Sequence, residues 1–163
     1  MPSKVMIVTF WAFVAVGAMV LLFASRSSGQ PVHFGHNLYF VAGDYSKATA
    51  ELDKFVKSNK DVKLGPIVPY SQFADDPTEG VFALIWSGTS SGVSSYRPEG
   101  LGAILEVLPM TEGTGFKLVG ERSPYYLGAA IVRYIEAENL GSIEAIAPFK
   151  ERDGVGLVLT FSK

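Results

Sequence analysis

The chain has 163 residues, a formal net charge of −2 and no cysteine, and 48% of its residues are hydrophobic. The lack of cysteine excludes disulfides, thiol catalysis and thiolate metal sites. Acidic and basic residues are interspersed, so the chain has neither the basic stripe that a nucleic-acid partner requires nor a polybasic patch for lipid headgroups.

After a short tip (1–4), a run without any charged residue covers residues 5–24. In a helix these 20 residues extend about 30 Å, which matches the hydrocarbon core of a bilayer. Apolar side chains occupy every side of the run rather than one stripe. We therefore predict a single-pass membrane helix, with the lipid bilayer as a partner. The alternative is a cleaved signal peptide, although the run exceeds the usual apolar region of such peptides. The few flanking charges do not indicate the side of the membrane on which the rest of the chain lies.

A polar linker (25–31) leads to a domain over residues 32–163 that contains two similar stretches. Repeat one covers 32–88 and repeat two covers 101–163, with a Gly- and Ser-rich connector (89–100) between them. We predict strand, helix, strand, strand in each repeat. The pair should form one α+β domain, because neither repeat could bury its helix and sheet face alone.

Repeat one begins with a strand at Tyr39 and continues with an amphipathic helix that ends near Asn59. The core-facing stripe of this helix consists of Tyr45, Ala48, Leu52, Phe55 and Val56. Strands follow over 64–70 and 81–86. The latter is rich in β-branched and aromatic residues, which favours a central place in a sheet.

Repeat two begins with a strand at Phe116, and its helix has Pro124 at the first position and ends near Asn139. The core-facing stripe consists of Leu127, Ala130, Ile131, Tyr134 and Ile135. Strands are predicted over 143–148 and 155–161, and the last again has the composition of a central strand. Both asparagines are residues that can adopt the left-handed turn after a helix.

Several of these segments together resemble GyrI-like domains, over about residues 32–163. They are the helix start Ser-Pro-Tyr-Tyr-Leu-Gly at Ser123, the segment Leu-Gly-Pro-Ile-Val-Pro-Tyr at Leu64, the Asp-Asp-Pro turn at Asp75 and the strand at Ile104. The resemblance implies two β-α-β-β units side by side, a fold related to the SOUL-type haem-binding domains. In such relatives a groove between the units accepts small hydrophobic, often cationic or planar, molecules.

The order of membrane helix and domain is also similar to that of the testis-expressed reticulophagy receptors of the endoplasmic reticulum. Those receptors carry a long acidic tail that recruits the autophagy machinery, and we find no counterpart to it in this sequence. The resemblance therefore does not imply a receptor function.

We expect a membrane-anchored binding module that holds a small hydrophobic or planar ligand, or a protein partner, in the groove between its repeats. In many GyrI-like proteins a glutamate in the last strand binds a cation, and some relatives are hydrolases. The last strand here contains no acid, which speaks against both activities. A weak hydrolase and a structural subunit or adaptor of a membrane assembly are the alternatives.

Aromatic residues are the main candidates for the groove, because flat rings at strand ends and at the repeat junction can cover a planar ligand. The candidate ligand-binding residues are Tyr39, Tyr70, Trp86, Glu106, Tyr125 and Phe149. Simple core packing is the alternative for the rings, and a solvent-facing strand position is the alternative for the glutamate. His33 and His36 lack a third ligand and make a poor metal site. We expect no catalytic residue, no metal and no cofactor.

Overall fold

A computed structural model describes residues 29–72, 79–87, 104–120, 123–151 and 154–162. The predicted membrane helix (5–24), most of the linker, the connector (89–100) and the Asp-Asp-Pro turn lie outside the described residues. Within those five ranges, neither helix has the length and hydropathy of a membrane span.

The fold is α+β, and each half of the chain contributes one helix and a four-stranded antiparallel sheet. The strands of the first sheet are β1 (Val32–Gly35), β2 (Leu38–Ala42), β3 (Val62–Tyr70) and β4 (Gly80–Ser87). Those of the second sheet are β5 (Leu105–Met110), β6 (Gly113–Leu118), β7 (Ile143–Glu151) and β8 (Gly154–Phe161). The helices are α1 (Tyr45–Ser58), between β2 and β3, and α2 (Pro124–Ala137), between β6 and β7.

Both sheets have the same topology, with strand order β1-β2-β4-β3 in the first and β5-β6-β8-β7 in the second. β4 and β8 are therefore central strands, as predicted. Each half is β-β-α-β-β and contains one strand more than the predicted β-α-β-β unit. In the first half the unpredicted strand is β1, which has only four residues and so shows little periodicity. Gly35, His36 and Asn37 all have positive φ and turn β1 back onto β2.

The helix α1 covers one face of the first sheet and presents its other side to solvent. Ala48 and Leu52 are buried against the sheet, as predicted, whereas Tyr45 is 50% exposed. The prediction for Tyr45 is wrong because this residue is the first of the helix and lies beyond the end of β2. The predicted left-handed turn is present at Asn139, with φ 52. It is absent at Asn59, with φ −122, whose side-chain amide instead donates to the Phe55 carbonyl.

The helix α2 is buried on both sides. Four residues of its predicted stripe are buried against the core, and so are Gly128, Ala129 and Val132 between them. One side packs on β5 and β6 of the second sheet, and the other packs on β1 and β2 of the first. The helix α2 therefore lies between β1 and β2 of the first sheet and β5 and β6 of the second, whereas β7 of the second sheet contacts β3 and β4 of the first directly.

Two side chains also connect the halves by hydrogen bonds to backbone carbonyls. The Asn37 amide donates to the Ile143 carbonyl at 3.0 Å. The Gln72 amide donates to the Gly120 carbonyl, just before α2. Since β7 of the second sheet also packs against β3 of the first, the two repeats form one unit.

Gly128 allows α2 to approach β1, and we expect Gly128→Ala to destabilise the protein. An added Cβ would lie 2.3 Å from the buried ring of Phe34. Overpacking of this kind costs about 1–3 kcal/mol, which outweighs the helix-propensity gain of about 1 kcal/mol. Thermal unfolding of the detergent-solubilised protein should show a lower Tm. The double variant with Phe34→Leu should recover part of the loss, and no recovery would contradict a clash at this position.

Asp44 caps the N-terminus of α1 and should make stability depend on pH. Its carboxylate accepts a hydrogen bond from the Lys47 N–H at 2.9 Å, and this contact lowers the pKa of Asp44 from its usual 3.8. A group with a lowered pKa in the folded state stabilises above its usual pKa and loses that effect as pH falls through the folded value.

The Tm difference between the native chain and Asp44→Asn should therefore be present near neutral pH. It should shrink as pH falls below 3.8. A difference that stays constant with pH would contradict the carboxylate cap.

Candidate functional site

Aromatic rings from both repeats meet where α2 packs on the first sheet. The Phe82 ring lies 4.8 Å from Phe40 and 5.3 Å from Tyr70 between centroids, and Tyr125 of α2 meets Phe40 edge-on at 5.1 Å. Phe34 lies 6.5 Å from Phe82. We call these five residues the junction cluster. All but Tyr125 are buried, so Tyr125 is the ring closest to solvent.

Strand register explains how the cluster forms. Phe40 and Phe82 are direct cross-strand partners on β2 and β4, and such partners point to the same face of a sheet. Tyr70 is paired with Gly80 on the neighbouring strand. The missing side chain at Gly80 leaves the space that the Phe40 ring occupies, since a Cβ there would lie 2.3 Å from that ring.

Tyr70 brings a hydroxyl group into this apolar environment. The residue is 1% exposed, and its hydroxyl oxygen has no hydrogen-bond partner among the described residues. Burial raises the pKa of Tyr70, and the nearby carboxylate of Glu79 raises it further. The hydroxyl is therefore protonated and neutral at physiological pH.

Glu79 is held close to Tyr70 by the backbone. The Glu79 N–H donates to the Tyr70 carbonyl at 3.0 Å, and the Glu79 carboxylate accepts from the Gln72 N–H at 3.0 Å. Sequence reasoning did not select Glu79, because no residue pattern shows that this residue lies beside Tyr70.

The junction cluster can therefore offer flat apolar contacts and one buried hydroxyl without a partner among the described residues, that of Tyr70. A buried hydroxyl without a partner costs free energy. A planar molecule with a hydrogen-bond acceptor would satisfy this group while it stacks on the rings. Phe34, Phe40 and Phe82 were missed as site residues. The only signal for them was their place on alternate positions of short strands.

Two of the six predicted residues, Tyr70 and Tyr125, come together in this cluster. Tyr39 lies on the opposite face of the first sheet, under α1, and is 5% exposed. Its ring stacks on His33 at 4.3 Å and lies 5.8 Å from Phe55.

The other three predicted residues lie elsewhere. Trp86 is 37% exposed at the end of β4, and its ring covers Gly65 of β3. Glu106 is exposed and is paired with Lys117 across β5 and β6. Phe149 covers Gly156 of β8. The six predicted residues thus do not line one groove.

An open cavity of about 360 Å³ lies beside the C-terminal half of α1. It is lined by Gln30, Pro31, Glu51, Lys54, Phe55, Ser58 and Asn59. None of the six predicted residues lines this cavity, although the Tyr39 ring contacts the ring of Phe55, which does. Glu51 and Lys54 form an ion pair of 2.5 Å at its rim. Across the described parts of the chain, no three acidic or histidine side chains are grouped so that they could hold a metal ion.

Comparison of the chain with protein-family models, with curated proteins and with solved structures gives no match.

Replacement of Tyr70 by phenylalanine should stabilise the protein. The variant keeps the ring and removes a desolvated hydroxyl without a partner, so we expect a gain of roughly 1 kcal/mol in the free energy of unfolding. Tyr45→Phe is the matched control, because that hydroxyl belongs to a residue that is 50% exposed and its loss should change little. Chemical denaturation of the three proteins measures the difference. A loss of stability in Tyr70→Phe would mean that the hydroxyl is hydrogen-bonded in solution.

Proposed function

We propose that this chain is a membrane-anchored GyrI-like binding module that holds a small hydrophobic or planar ligand between its two repeats. The ligand contacts the junction cluster and accepts a hydrogen bond from Tyr70. The observation that carries the proposal is the buried Tyr70 hydroxyl, which has no partner among the described residues. Its ring packs edge-on against Phe82 of the same repeat, and the rest of the junction cluster extends from Phe82 through Phe40 to Tyr125 of the second repeat.

The architecture supports the GyrI-like part of the proposal. Two halves with the same strand order and one helix each are consistent with a duplicated unit. The rings that would contact the ligand come from both halves, as expected for a site between repeats. The uncharged run over residues 5–24 supports the membrane anchor.

The site favours binding over catalysis. Tyr70 has its pKa raised rather than lowered, which makes it a poor general base near neutral pH. Hydrogen bonding and ring stacking need no proton transfer. The proposed role therefore requires only groups that the junction cluster contains.

The test uses the full chain in detergent micelles with a panel of lipophilic cations, porphyrins and fatty acyl compounds. A compound that binds the native state should raise the Tm, because the stabilisation grows with the logarithm of the free ligand concentration and reaches about 2.7 kcal/mol at 100 times Kd. Its affinity, measured by isothermal titration calorimetry, should fall about tenfold in Tyr70→Phe and stay unchanged in Tyr45→Phe.

Two results would contradict the proposal. One is the absence of any saturable binding across the panel. The other is a bound compound with equal affinity for the native chain and Tyr70→Phe, which would locate binding away from the junction cluster. Since Tyr70→Phe should itself be more stable, a weaker affinity in this variant could not be attributed to unfolding.

A further inference from the structure

The open cavity of about 360 Å³ beside α1 lies where the chain enters the domain, and we call it the entry cavity. Part of its wall comes from Gln30 and Pro31, which precede β1, and the rest from the second half of α1 and Asn59. Gly29 is buried with φ +119, and a Cβ there would lie 2.9 Å from Cγ of Glu51. The entering backbone therefore packs directly on α1, in a conformation that favours glycine, and this contact fixes the two walls together.

The entry cavity presents one negative and one positive group. Glu51 and Lys54 are the two charged side chains among the described residues that line it, and they form an ion pair of 2.5 Å. Both are solvent-accessible, and an ion pair in contact with water contributes little to stability. A ligand that offers each of them an opposite charge can therefore separate the pair at small cost.

An aromatic ring lies beside the negative group. Phe55 lines the entry cavity, is partly exposed and is supported from the sheet by Tyr39, with 5.8 Å between ring centroids. Glu51 and Phe55 are four residues apart in α1 and are therefore neighbours on one side of the helix. An aromatic face attracts organic cations. Together with the carboxylate, it favours an ammonium group, whereas Lys54 favours a phosphate.

We propose that the entry cavity binds the phosphocholine headgroup of a membrane lipid. The proposal rests on the membrane anchor of the proposed function but not on ligand binding at the junction cluster. The quaternary ammonium lies against Phe55 and Glu51, and the phosphate accepts hydrogen bonds from Lys54. A purely anionic ligand would face the Glu51 carboxylate and a purely cationic one would face Lys54, so the two charges favour a zwitterion.

The position of the entry cavity along the chain favours a lipid as the source of this headgroup. Ala24, the end of the proposed anchor, precedes Gly29 by five residues, which span at most about 18 Å in any conformation. The headgroup layer itself accounts for about 5–8 Å of this distance. A tether this short keeps lipid headgroups at a high effective concentration, so that even a weak site would be occupied.

The size and the polar wall of the entry cavity suit a headgroup rather than a whole lipid. Its volume of about 360 Å³ is near the lower limit for ligand pockets, so the acyl chains would stay in the bilayer. The Ser58 hydroxyl donates to the Lys54 carbonyl at 2.8 Å, and the Asn59 amide donates to the Phe55 carbonyl at 2.7 Å. Side chains held in this way lose little freedom when a ligand binds.

The probe is glycerophosphocholine, titrated by calorimetry into the full chain in uncharged maltoside micelles. It should bind saturably, and Glu51→Gln and Lys54→Gln should each weaken its affinity about tenfold because each removes one charged contact. The matched controls are Asp53→Asn and Lys57→Gln. These variants break the other ion pair of α1, which lies outside the cavity, and should leave the affinity unchanged.

The source of the headgroup is tested with the chain in nanodiscs. Discs of phosphatidylcholine should abolish the binding of glycerophosphocholine, because lipid already occupies the entry cavity. Discs of phosphatidylglycerol should leave it intact. Binding that persists in phosphatidylcholine discs would overturn a membrane lipid as the ligand, and so would a chain that does not enter the discs.

Two results in micelles would overturn the entry cavity as the site. One is the absence of saturable heat with glycerophosphocholine, and the other is equal affinity in Glu51→Gln and Asp53→Asn. Glycerol phosphate or choline alone should bind at least tenfold more weakly than the zwitterion, and equal binding of either would contradict recognition of both charges. Tyr70→Phe should not change this affinity, which separates a failure here from one at the junction cluster.

Discussion

Burial of α2 on two sides is the interaction on which the rest of the structure depends. A helix at the surface needs one apolar stripe, whereas α2 must satisfy two sheets at once. It does so with Leu127, Ile131 and Ile135 towards the core, and with small residues such as Gly128 where β1 approaches closely. Each buried Leu or Ile contributes about 1.5–3 kcal/mol. Without α2, both sheets would expose an apolar face, so the two repeats are stable only as a pair.

The proposed binding site is part of this same interface, which links function to stability. Tyr125 belongs to α2, and its neighbour Phe40 belongs to the first sheet. A ligand in the junction cluster would therefore strengthen the contact between repeats. In the protein without ligand, the buried Tyr70 hydroxyl lowers the free energy of unfolding. Functional sites commonly sacrifice stability for binding in this way.

The sequence pattern was sufficient for both helices, for the central strands and for the α+β class, because these follow from local periodicity and composition. It was not sufficient for β1, which is short and is defined by the positive φ values at Gly35, His36 and Asn37. The second buried side of α2 had a signal in Gly128, Ala129 and Val132, which are all apolar, but the predicted stripe left them out. The candidate site was predicted only at Tyr70 and Tyr125. A strand residue such as Tyr39 or Phe149 changes face with a shift of one position, and that register is set by partner strands distant in sequence.

The first sheet is synthesised well before the helix that packs on its inner face, and this delay affects how the protein folds during synthesis. The first sheet is complete once Ser87 has been synthesised, yet the helix that covers its inner face ends at Ala137, about 50 residues later. At about 5–20 residues per second, synthesis of these residues takes roughly 3–10 s. During this time Phe40, Phe82 and their neighbours are not yet covered by α2. During this interval the nascent chain exposes a flat apolar surface, which is a substrate for chaperones. A ribosome that stalls between the repeats would release a product prone to aggregation.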